Sequence, residues 1–181
     1  MPRNDNPHSL RMCRALCHLG NSKLAEHFAE VNPLSRSASV EQKIRWACTC
    51  CDFLNEHCSL EEAILIRRTC RCKDGVTMAN AILAAIRKTG SLSTACELFT
   101  QQNKYAFLEY VNAHELVFGY HACVCSCVKR SNQPVPRLWC ECSVGYAESM
   151  FRHIVGKDVS IMLLESVKTG GKCCKMRITW Q

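Results

Sequence analysis

The chain has 181 residues, 48% of them apolar, with a formal net charge of +7. That length buries a core without covalent help and suits one domain or two small ones. The longest uncharged apolar stretch runs only from Val76 to Ile86 and contains Thr77 and Asn80, too short for a membrane-spanning helix of about 20 residues. The opening MPRNDNPHSLRM has no apolar signal-like run, so a soluble cytoplasmic protein is expected.

Taken in chain order, the first 111 residues read as helices. Residues 9–31 carry a helical stripe through Leu10, Cys13, Leu16, Cys17, Leu24 and Phe28, despite Gly20. Pro33 and the run SRSAS end it. Ser39 is placed to cap a helix over 40–57, and Ser59 with Glu62 forms a capping box for another from Leu60 to about Thr69. Asp74-Gly75 interrupts, Met78 to Lys88 continues, and Gly90 closes that helix. A fifth is predicted from Ser91 or Ser93 through ACELFTQQNKYAFLEYV.

The pattern then changes. ELVFGYHACVC, from Glu115, reads as a strand, and KRSNQPVPR as a loop with two prolines. Ser143 to Val155 reads as an amphipathic helix closed by Gly156. Val159–Ser166 and Cys173–Trp180 make a hairpin around Thr-Gly-Gly. Alternation puts Cys174, Met176, Ile178 and Trp180 on one face of its last strand. The expectation is an α+β fold, a single domain over 1–181, with a helical part (1–111) packed on a mostly antiparallel C-terminal sheet (112–181).

The basic residues do not make a nucleic-acid surface. Arg67, Arg68, Arg71 and Lys73 are the densest group, and Lys168, Lys172, Lys175 and Arg177 a second. Neither has interleaved aromatics or a nucleic-acid motif. Both read as solvated faces. No nucleic-acid or membrane partner is expected.

Sixteen cysteines are the anomaly. In a reducing compartment they point to metal or redox chemistry before disulfides, though cysteine also fills cores as a small hydrophobe. Cys125-x-Cys127 and Cys140-x-Cys142, with Cys123 and His121 just upstream, form a two-armed thiolate arrangement. Zinc takes four such soft ligands in a tetrahedron. On an extended strand residues i and i+2 share a side, so one such pair would still chelate there. Core packing is the rival reading. Among the N-terminal cysteines, the pairs Cys13/Cys17 and Cys48/Cys51 fall on apolar stripes and read as packing first. Cys70-x-Cys72 lies beside Arg67, Arg68, Arg71 and Lys73, cations that lower a thiol's pKa. His121 and His153 stand nearest the C-terminal group, without a catalytic array. Glu165 is expected to point inward opposite Cys174, costly unless it binds something.

The stretch WCECSVGYAESMFRHIVGKDVSIMLLESVKTGGKCCKMRI resembles the C-terminal half of 4-vinyl reductase-type domains. Cys142, Gly145, Tyr146, Gly156, Val159, Glu165, Gly170 and Cys174 fall on that family's pattern. The closest likeness is to a bacterial Cys-rich branch, and the chain is more distantly similar to 2-amino-thiazoline-4-carboxylate hydrolase-like proteins. Covering about residues 123–181, the resemblance implies an α+β domain of the NO-sensor and Golgi-transport type, often dimeric. Its members hold small hydrophobic or aromatic molecules, in several cases beside a cysteine-bound zinc. Ser166 stands where many relatives carry a cysteine.

The expected function is therefore a sensor-like, small-molecule-binding domain with a structural zinc drawn from Cys125, Cys127, Cys140, Cys142 and Cys174. Tyr120, Tyr146, Met150, Met162 and Glu165 are the expected pocket residues, and a homodimer is expected from the resemblance. Two other classes stay open: a hydrolase of a small thiazoline or amide substrate using a thiolate or metal-bound water, and an iron–sulfur or redox protein.

Overall fold

In a computed structural model of the chain, which describes residues 4–181, every helix start that a polar side chain was expected to cap is capped. Asn6 accepts from the His8 amide at 3.0 Å and opens α1 (Pro7–His18). Ser39 and Gln42 make a capping box for α3 (Val40–His57), as Ser59 and Glu62 do for α4 (Leu60–Thr69). The stripe over 9–31 is two helices rather than one. Gly20 takes φ +84°, and the chain restarts as α2 (Ser22–Val31), because that left-handed conformation is easy for glycine and breaks an α-helix.

These four helices belong to the first of two compact units, made of the residues up to Arg71 together with Cys125–Gly145. Phe28 packs edge-on against Trp46 and Phe53, and Trp46 in turn against Trp139 at 5.6 Å. Trp139 lies in a short 3-10 turn, Arg137–Cys140, that runs directly into α7 (Glu141–Val155). The start of α7 lies close on α4: a Cβ at Gly145 would run into the Arg68 carbonyl.

The second unit comprises Cys72–Val124 and Tyr146–Gln181. It holds α5 (Val76–Thr89), α6 (Leu92–Gln102) and a four-stranded sheet of β1 (Ala106–Asn112), β2 (Glu115–Tyr120), β3 (Ser160–Glu165) and β4 (Cys174–Thr179). The strands run in the order β1-β2-β4-β3, and each pairing is antiparallel. The fold is α+β. One face of the sheet carries Leu116, Phe118, Met176, Ile178, Ile161 and Leu163, all buried. Phe118 meets Phe151 of α7 at 5.7 Å, which seats the second half of α7 on this face.

Three further expectations change. The fifth helix stops at Gln102, and AFLEYVN is β1. Asn103 accepts from the Tyr105 and Ala106 amides at 3.0 Å, turning the chain, and the Thr100 hydroxyl bonds both backbone groups of Leu108 at 2.9 Å. The strand from Glu115 ends at Tyr120, so the Cys125-x-Cys127 segment is not extended. The two units, finally, are not the sequence halves 1–111 and 112–181. The cysteine loop joins the helical unit, and α5 and α6 join the sheet. No helix among the described residues is long and apolar enough to cross a membrane.

Candidate functional site

The expected zinc pairs do not behave as chelating arms. Cys125 begins a tight turn, its carbonyl accepting from the Val128 amide at 3.2 Å and the Lys129 amide at 2.9 Å. Cys140 ends the 3-10 turn and Cys142 lies in the first turn of α7. In helical backbone, residues i and i+2 point to different sides, so each pair divides. Cys127 is buried and donates weakly to the Lys43 carbonyl at 3.9 Å, whereas Cys125 stays half-buried. Cys174 belongs to the second unit, on β4 opposite Tyr120. Among the described residues, no three Cys, His, Asp or Glu side chains already stand together as a metal-holding group.

What gathers the sulfurs of the first unit is a residue that sequence reasoning had left in a basic surface patch. Arg67 is 3% exposed. Its Nη2 donates to the Trp139 carbonyl at 2.7 Å, and its guanidinium lies over the Trp139 ring, 4.0 Å from the centroid. Among the described residues its Nε has no hydrogen-bond partner, and neither has Nε1 of Trp139, a side chain only 2% exposed. Glu141, the acid nearest this turn, is held by Arg68 at 2.9 Å instead. Among the described residues, Arg67 is thus a buried cation without a carboxylate partner.

Its surroundings are thiols. Burial works against the Arg67 charge, but the sulfurs of Cys142, Cys70, Cys50 and Cys51 outweigh it and hold its pKa above the ordinary guanidinium value. Burial raises the Cys50 thiol well above its usual range, against the pull of Arg67, with Cys51, Cys70 and Cys127 adding to the rise. Burial likewise pushes Cys51 up to about 12, opposed by Arg67 and reinforced by Cys48, Asp52 and Cys140. Cys70 sits one helical turn beyond Arg67 on α4, its sulfur 3.6 Å from the Met12 sulfur. The tie of Arg67 to the Trp139 carbonyl and that of Arg68 to Glu141 pin the chain on both sides of Cys140. Three elements therefore bring sulfur toward one buried guanidinium, α3, the end of α4 and the start of α7, and Cys127 of the 125–129 turn adds to the group through Cys50.

Further cations border this group. His8 contacts Arg11 at 2.8 Å and Ser126, between the two loop cysteines, at 3.3 Å. Burial first, then Arg11, Arg67 and Lys43, lower its pKa to about 4.

In the second unit, two expected pocket residues do meet. Tyr146 hydrogen-bonds Tyr120, the register partner of Cys174, and burial raises the Tyr146 hydroxyl above its ordinary value. Met150 is completely buried, with Gly75 packed against its Cβ. Met162 stands apart: β3 alternates, and Met162 is on its outward side, 58% exposed. Glu165 does not oppose Cys174 either. A register shift pairs it with Lys175, and its carboxylate accepts from the Lys172 and Cys173 amides, which lower its pKa. Glu165 closes the hairpin turn.

The chain belongs to DUF6144, a family of unknown function matched over residues 12–181. No curated protein and no solved structure matches it. The family match extends through the helices of the first unit, including Cys50, Cys51, Arg67 and Cys70, as well as the C-terminal stretch.

Proposed function

We propose that the first unit is a metal-binding module in which cysteine thiolates from α3, α4, the 125–129 turn and the start of α7 close on one ion, with zinc the expected metal and its role structural. The observation that carries this reading is Arg67: a buried guanidinium with no carboxylate partner among the described residues, set among cysteines. A buried charge left uncompensated costs several kcal/mol. A thiolate complex supplies the missing negative charge at that place, and it draws on a pool of Cys50, Cys51, Cys70, Cys127, Cys140 and Cys142. No such group stands assembled among the described residues, so closing on an ion asks these cysteines to change χ1 rotamer. The binding energy would add to the stability of a unit whose sulfur-bearing segments are far apart in sequence.

The test is metal analysis of the full chain purified under reducing, anaerobic conditions, alongside Cys70→Ser and Cys142→Ser. Stoichiometric zinc, lost in both variants and kept in Cys17→Ser at the exposed side of α1, is the expected result. A chain free of metal, or one that keeps its metal in both variants, overturns the reading. Iron with inorganic sulfide would assign the same thiols to a cluster.

A further inference from the structure

The outward face of the sheet in the second unit carries a pattern that the cysteines of the first do not touch. Strand alternation sends Ser160, Met162 and Leu164 of β3 away from the buried face, and Met162 is 58% and Leu164 37% exposed. β3 is an edge strand of the sheet. Edge strands commonly carry charge or proline, which discourages pairing with another chain; these three outward positions carry neither. The register sets Glu109, Val117, Arg177 and Met162 in one row across all four strands. Charge on this face is sorted by strand, with the acids Glu109 and Glu115 on β1 and β2 and the bases Lys175 and Arg177 on β4. Lys175 meets Glu109 at 3.0 Å and Arg177 meets Glu115 at 3.1 Å, in surface pairs that stay partly exposed. Such pairs contribute little by themselves and leave their charges open to a further partner.

We propose that this face is an interface between two copies of the chain, related by a two-fold axis that runs parallel to the strands between β2 and β4. The order β1-β2-β4-β3 makes the face complementary to itself under that rotation. Basic β4 comes over the acidic β2 of the second copy, and β3 over its β1. Arg177 then stands above Val117 of the partner subunit and beside the partner's Glu109, while Met162 covers the end of the same row. Every contact occurs twice, as a two-fold interface requires. Size sets the strength of this association. Strands about 4.8 Å apart, rising about 3.3 Å per residue, give four six-residue strands a face of about 400 Å². A standard interface takes about 800 Å² from each partner, so the dimer is weak and reversible. It uses no cysteine and no metal, and it stands or falls apart from the reading of the first unit.

Sedimentation velocity of the full chain tests this, under reducing conditions that prevent disulfide cross-links, from micromolar to near-millimolar concentration. The native chain should pass reversibly from monomer toward dimer as concentration rises, and less readily at high salt, which screens the charges. Met162→Lys places a cation in the middle of the interface and should weaken association at least about 10-fold. Arg177→Glu should weaken it too and remove most of the salt dependence. Leu60→Lys, at an exposed leucine of the first unit, should leave it unchanged. Circular dichroism checks that each variant folds; the substituted side chains are half or more exposed, so the fold should persist. A chain that stays monomeric over the whole range overturns the proposal. So does a dimer that Met162→Lys and Arg177→Glu both leave intact, which would place the contact on another surface.

Discussion

The two units solve the burial problem differently. In the second, the face of the sheet under α7 is closed by hydrocarbon: Phe118, Phe151, Leu116, Met150, Met176 and Ile178 are all fully or almost fully buried. In the first, the interior holds a guanidinium, an indole N–H and a serine hydroxyl, and among the described residues the buried side-chain polar atoms without partners, on Ser9, Arg67 and Trp139, all lie in this unit. Of the five buried cysteines, Cys50, Cys51, Cys70 and Cys127 are also in the first unit, and only Cys96 is in the second. The second unit also buries the cation of Lys168 and the Ser166 hydroxyl, against the expectation of a solvated basic face, but both have partners. Unpartnered buried donors amid sulfur are a cost that packing does not repay, so function is sought in the first unit.

Substitutions can break this contrast, beginning with the largest effect. Phe118→Ala should behave as an ordinary core truncation and cost about 3–5 kcal/mol in urea unfolding, with or without metal. Arg67→Met should do the opposite in metal-free protein. Replacing a buried charge by an apolar side chain of similar length is neutral or stabilising by about 1–4 kcal/mol, and the sign should reverse once metal is supplied. A loss of stability in both states would make Arg67 an ordinary structural residue. Ser39→Ala removes half of the α3 capping box and should cost about 1 kcal/mol, read from the same unfolding curves.

The smallest effect is confined to acid. His8 has a folded pKa of about 4 against an ordinary 6.5, so the unfolded chain takes up the proton first. Its contribution is complete above pH 6.5 and is lost progressively as the pH falls toward 4. His8→Gln should flatten that part of the stability curve and leave neutral pH unchanged; an unaltered acid limb would assign the loss to other groups.

Much of the fold was legible locally. Caps at Ser39 and Ser59 and the Gly90 stop depend on interactions within a few residues, and each stands as read; the 160–179 hairpin forms too, with a register shift that pairs Glu165 with Lys175. The misreadings are of two kinds. YAFLEYV suits helix or strand by composition, and a local turn at Asn103 decided for strand. Cys125-x-Cys127 was read with strand periodicity, while the backbone there is a turn, and Cys140-x-Cys142 lies at a 3-10 turn and helix start, which sends the two sulfurs of each pair apart. Arg67 had a signal that went unused: its spacing from Ala63, Ile66 and Cys70 puts it on the buried stripe of α4.

By itself, then, the sequence determined where helices start and stop, which strand faces are apolar, and that sulfur in unusual quantity needs a reason, since these follow from short-range hydrogen bonding and side-chain periodicity. Only the tertiary structure decided which sulfurs share an environment. It brought Cys50 and Cys51 of α3, Cys70 of α4 and Cys142 of α7 around a single guanidinium, because what a buried charge requires is set by the elements packed about it in space, and spacing along the chain carries no record of that.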